Sequence, residues 1–96
     1  MELSELQHLF RQIHFQPTQK QEYFLKLVEE VGELSEAILK NKPKDEKENQ
    51  DQIKGTIAEE LYDVLCYVVY LANAYDIDLE STHELKEQEN QVKYNR

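Results

Sequence analysis

Apolar residues recur at helical spacing in separate stretches of the chain. Leu3, Leu6, Phe10 and Ile13 predict a first helix from about Leu3 to His14, which Gln16-Pro17-Thr18 breaks. A second helix is predicted from about Gln19 to Lys40. Thr18 is its expected N-cap, and Phe24, Leu27, Val28, Val31, Leu34, Ser35 and Ile38 form one apolar stripe along it. Between Asn41 and Lys54 only Ile53 is apolar and Pro43 sits near the start, so a mobile surface connection is expected. A third helix, from about Thr56 to Tyr75, is apolar on nearly all sides beyond Leu61, as a helix buried by several neighbours would be. Asp76-Ile77-Asp78 ends it. Asp78 is placed to cap a fourth helix from Leu79 to about Tyr94, whose apolar face is thin: Leu85, Val92 and little else.

Composition supports an all-α reading. The 96 residues include two Gly and two Pro, too few for the turns of a strand-rich fold, while Glu, Lys, Gln and Leu favour helix. The expectation is one domain over residues 1–96, a small four-helix bundle. A chain this short leaves roughly a third or more of its unfolded-state surface exposed, so a partner subunit would add to a modest core. Twenty acidic against 11 basic side chains give a net charge of −9, which argues against direct nucleic-acid binding. A single Cys excludes an internal disulfide and suits a reducing, cytoplasmic setting. Met1-Glu2-Leu3-Ser4-Glu5 lacks the cationic start and apolar run of a secretory signal. The most apolar stretch, Leu61 to Tyr75, contains Asp63 and Asn73 and is too short for the roughly 30 Å of a bilayer core, so no membrane span is expected.

The candidate chemistry lies in two acid pairs, Glu30-x-x-Glu33 and Glu60-x-x-Asp63, each sharing a helix face. Acids three apart are common on solvated helices, and Glu30 and Glu33 alone would read that way. Asp63 changes the picture, because it stands inside Leu61-Tyr62-Asp63-Val64-Leu65-Cys66-Tyr67-Val68-Val69, where no other charge occurs. A buried carboxylate needs compensation, and the third helix offers no Arg, Lys or His. A metal ion is the remaining strong compensator. Carboxylates without thiolate or imidazole select a hard cation, Mg²⁺ or Mn²⁺. None of these acids points into a simple bundle core, since Glu30 and Glu33 lie well off the apolar stripe of their helix. They form a second face that a crevice or another subunit would have to cover.

These residues also resemble a family. Glu30-x-x-Glu33, 26 residues, then Glu60-x-x-Asp63, framed by Leu27-Val28-Glu29-Glu30-Val31-Gly32-Glu33-Leu34-Ser35-Glu36-Ala37 and Glu59-Glu60-Leu61-Tyr62-Asp63-Val64-Leu65, is similar to the MazG-like all-α nucleoside triphosphate pyrophosphohydrolases. The likeness covers nearly the whole chain and is greatest to the compact single-domain, integron-cassette type. It implies that Glu30, Glu33, Glu60 and Asp63 bind Mg²⁺ and carry catalysis. It further implies that a nucleoside triphosphate is cleaved to monophosphate and pyrophosphate, in housecleaning of the nucleotide pool. Lys86, Asn90 and Lys93 stand at i, i+4 and i+7 on the fourth helix, and with Tyr94 they match the family's substrate-binding positions. Without the likeness they would read as solvated surface. Tyr67, four residues after Asp63, would floor the base or sugar pocket; as a core aromatic it would read equally well. The thin fourth helix and off-core acids suggest a homodimer or dimer of dimers, with sites near subunit boundaries.

Two rivals have their own residues. Glu5-x-x-His8 and Glu80-x-x-His83, with Glu from the middle helices, are the ligand inventory of a di-iron carboxylate bundle, but both pairs turn away from the apolar positions of their helices. A non-catalytic acidic interaction module would explain the charge and leave Asp63 unexplained. His14 reads as surface and Cys66 as a small buried hydrophobe.

Overall fold

The computed structural model describes residues 1–40 and 53–95. The expected surface connection from Asn41 lies outside them except for Ile53 and Lys54. Four helices follow in order: α1 (Leu3–Ile13), α2 (Lys20–Leu39), α3 (Ile57–Ala74) and α4 (Leu79–Tyr94). There is no strand among the described residues, as the scarcity of turn formers implied. The chain divides into two compact units, one of Met1–Gln19 with Val69–Arg96 and one of Lys20–Val68, so α3 contributes to both.

In the first unit a buried amide pair organises the packing. Gln7 Nε2 donates to Asn73 Oδ1 at 2.9 Å and to the Ile77 carbonyl at 2.8 Å, while Gln7 Oε1 accepts from the Leu79 amide at 2.8 Å. Asn73 Nδ2 returns a bond to the Gln7 carbonyl at 3.0 Å. α1 is thereby tied to the turn that joins α3 and α4, with every bonding group of both side-chain amides but one N–H spoken for. Phe10 is buried beside them, its ring 5.4 Å from that of Tyr70. His14, expected at the surface, is half-buried with its ring 4.8 Å from the same Tyr70.

Local chemistry explains the helix ends. α3 stops in a Schellman turn: Ile77 N–H reaches the Ala72 carbonyl, Asp76 N–H reaches Asn73, and Asp76 takes the left-handed φ of 56°. Asp78 then caps α4 as expected, accepting from the amides of Glu80 and Ser81. Thr18 does not cap α2. It lies in a turn whose Gln19 amide bonds to the Gln16 carbonyl, and the helix begins at Lys20. At the start of α3, Thr56 Oγ1 accepts from the Glu59 amide, and Glu59 reaches back to the Gly55 amide at 2.9 Å. Gly55 has φ 78°, a conformation that suits a residue without Cβ.

In the second unit α2 covers a face that shares only Leu27 and Leu34 with the expected apolar stripe. Tyr23 and Ala37 are buried and Glu30 is half-buried, whereas Phe24, Val28, Val31 and Ile38 of the apolar stripe stay about half exposed. Leu61 and Leu65 of α3 are exposed as well. The face that carries Glu30 is the covered one.

Candidate active site

Residues 30 and 33 of α2 and 60 and 63 of α3 all belong to the second unit. Glu30, Glu60 and Asp63 each present one carboxylate oxygen, and these three oxygens lie within 4.8 Å of one another. Glu30 Oε2 and Glu60 Oε2 are shielded from solvent and have no hydrogen-bond partner among the described residues. Leaving such an oxygen bare costs about 1–3 kcal/mol or more, so it is where a fold expects a ligand or a proton.

The electrostatics agree with that reading. Burial pushes the Glu30 carboxyl up to about 7, helped by a hydrogen bond with Glu33 and by the charges of Glu33, Asp63 and Glu60. Glu60 is raised by burial and then by the charges of Glu33 and Asp63, with smaller contributions from Glu59 and from a hydrogen bond with Glu33. Asp63 is raised by burial and by Glu59 and Glu33. Glu33 is exposed and acts on all three through its charge, outside the group whose oxygens converge. Repulsion among the acids is relieved either by protons or by a cation, and the oxygen-only donor set with two orphaned oxygens fits a hard divalent metal ion.

A cavity of about 460 Å³ opens onto these acids. Its lining includes Glu33, Glu60 and Asp63, and also Glu36, Lys40 and Lys54. The sequence pattern does not single out either lysine. Lys40 follows the last residue of α2 and Lys54 precedes α3, so neither lies on the helix faces that periodicity exposes. Lys40 is ion-paired with Glu36, four residues earlier in the last turn of α2.

The remaining candidates sort differently. Lys86, Asn90 and Lys93 share a shallow depression on α4, in the first unit, with Glu89 and Val92; Lys86 pairs with Glu89 at 3.6 Å, and the Lys93 ammonium sits 5.2 Å over the Tyr94 ring. Tyr67 is half-buried on α3, one turn beyond Asp63. Cys66 is half-buried, and its thiol is pushed up mainly by burial, which suppresses thiolate chemistry. The di-iron inventory does not assemble: Glu80 accepts from Ser4, His8 contacts Gln12, and the metal-competent group contains no His.

Fold and site together define an all-α protein that gathers carboxylates from two helices at the edge of a polar cavity. The sequence profile of the MazG nucleotide pyrophosphohydrolase domain matches residues 18–88, a span that holds both acid pairs, and the chain belongs to this family. It is an enzyme, a nucleoside triphosphate pyrophosphohydrolase. Crystal structures of iMazG from Vibrio DAT 722 are similar to it throughout. The Ntag-iMazG form is 54% identical over 100% of both chains with a TM-score of 0.86. A Ctag-iMazG form is 53% identical, covering 95% of this chain and 99% of that one, with a TM-score of 0.85. No curated protein matches the chain. No helix among the described residues is long and apolar enough to cross a membrane.

Proposed function

We propose that the enzyme is Mg²⁺-dependent, that Mn²⁺ can replace Mg²⁺, and that it cleaves nucleoside or deoxynucleoside triphosphates between the α- and β-phosphates in cytoplasmic housecleaning of the nucleotide pool. The observation that carries this reading is the convergence of Glu30, Glu60 and Asp63 within 4.8 Å around shielded, unpartnered oxygens. Together with Glu33 they would hold the metal, which when bound supplies neutralisation of phosphate oxygens and an acidified water. A carboxylate of the same group accepts the proton of the attacking water. Lys86, Asn90 and Lys93 donate to the substrate with Tyr94, and Tyr67 floors the pocket for sugar or base. Self-association as a dimer or dimer of dimers covers the exposed apolar stripe of α2.

Incubating the protein with a panel of nucleoside triphosphates and Mg²⁺, followed by ion-exchange separation, tests the reaction. Monophosphate and pyrophosphate are the expected products. Diphosphate with phosphate, or no turnover across the panel, would overturn the reading.

A further inference from the structure

We infer that Lys54 is a substrate-binding residue that grips the terminal phosphates of the nucleotide and, after cleavage, the pyrophosphate. The inference rests on the pyrophosphohydrolase reading and says which end of the substrate enters the cavity of the second unit.

That cavity carries Glu33, Glu60 and Asp63 together with Lys54 on one continuous lining. Its other lysine is committed, since the Lys40 ammonium is bound by the Glu36 carboxylate. Lys54 makes no ion pair or hydrogen bond with any described residue, although several carboxylates line the same space. The backbone that presents it is nevertheless fixed. Gly55 turns the chain with φ 78° and its amide is held by Glu59, while Thr56 Oγ1 donates to the Ile53 carbonyl at 2.6 Å and accepts from the Glu59 amide. An ammonium unpaired among the described residues, on an anchored turn and beside a carboxylate group suited to a divalent cation, is a pre-placed anion contact.

The chemistry of the lining says which anion. Among the described residues of the lining Ala37 is the one apolar side chain and none is aromatic, so they offer a nucleobase nothing to stack on. A polyphosphate suits it. In the cleavage, water oxygen bonds to the α-phosphorus, the bond from that phosphorus to the bridging oxygen breaks, and the electron pair leaves with pyrophosphate while the water proton passes to a carboxylate. Negative charge therefore grows on the leaving group, and a three-donor ammonium within reach of its oxygens stabilises it. The acids of this cavity would otherwise repel that end of the substrate.

Binding of inorganic pyrophosphate measured by calorimetry in Mg²⁺ tests the assignment, with inhibition by nucleoside monophosphate as the control for the other product. Lys54→Met should weaken pyrophosphate about tenfold, the loss expected for one charge-assisted hydrogen bond. Lys54→Arg should recover most of it, and monophosphate inhibition and the urea unfolding midpoint should stay within error of wild type. Equal pyrophosphate affinity in wild type and Lys54→Met, parallel loss of both products, or no pyrophosphate binding by wild type would each overturn the assignment. Lack of triphosphate turnover by wild type would instead count against the activity, and the calorimetric comparison would still decide the role of Lys54.

Discussion

Asp63 was the most telling residue in the sequence because one charge interrupts an otherwise apolar run, and the structure gives that signal its meaning: Asp63 is one of three carboxylates held within 4.8 Å. The cost of holding them is pH-dependent. Glu30, Glu60 and Asp63 all titrate above their ordinary values, Glu30 rising from 4.5 to about 7. The folded protein therefore keeps protons that the unfolded chain releases, and stability falls as pH rises from the unfolded value through the folded one. The metal-free protein should lose thermal stability between about pH 5 and pH 8. Millimolar Mg²⁺ should restore it at pH 8 and do little at pH 5, because the ion binds only the deprotonated acids. Differential scanning fluorimetry across pH, with and without the ion, reads both effects. Asp63→Asn should abolish turnover, keep helical circular dichroism and flatten the pH dependence of the metal-free protein; an active Asp63→Asn would remove Asp63 from the centre. The three acids that the structure gathers were legible in the sequence. Lys54 was not, since a lysine in a turn has no periodicity to break and only its presence in the cavity singles it out.

Helix boundaries were legible to within a residue, and α4 from Leu79 to Tyr94 was legible in full, because Asp78 is a strong capping residue and a polar helix leaves few alternatives. The two interior amides were not. Gln7 sits between Leu6 and Phe10 in a helix whose apolar spacing carried the reading, and Asn73 looked like a polar interruption of α3. Their mutual bonds appear only when residues 66 apart meet. This pair gives the element scale its prediction. Gln7→Leu leaves Asn73 Oδ1, the Ile77 carbonyl and the Leu79 amide without their partner, so it should destabilise the fold by about 2–3 kcal/mol in urea unfolding. Asn73→Leu should cost a similar amount. The double variant should cost less than the sum, because each single change orphans what the other removes. Strict additivity would mean that the two amides act separately.

At the scale of the whole molecule, the stripe of Phe24, Val28, Val31 and Ile38 shows why the orientation of α2 could not be read from periodicity. A repeat of apolar residues reports that a face is buried in the functional state, and burial against a second copy leaves the same pattern as burial in the chain's own core. The sequence suggested the stripe as core and the acids as the face needing cover; within one chain Glu30 is on the covered side and these four residues stay about half exposed. Six apolar residues are buried among those described, three of them alanines, which is a small core for an independent protomer. Both observations support the proposed self-association. Light scattering coupled to size exclusion should give at least twice the 11.5 kDa chain mass. Val28→Glu places a charge on the stripe without disfavouring helix, and it should lower the mass toward one chain and make the melting temperature independent of protein concentration. Residue 28 lies half a turn from the Glu30 carboxylate, so calorimetric Mg²⁺ binding separates the two roles: retained ion affinity with lost mass assigns the stripe to the interface. A wild-type protein of one-chain mass at every concentration would show instead that the chain tolerates the stripe in water, and the proposal of self-association would fall.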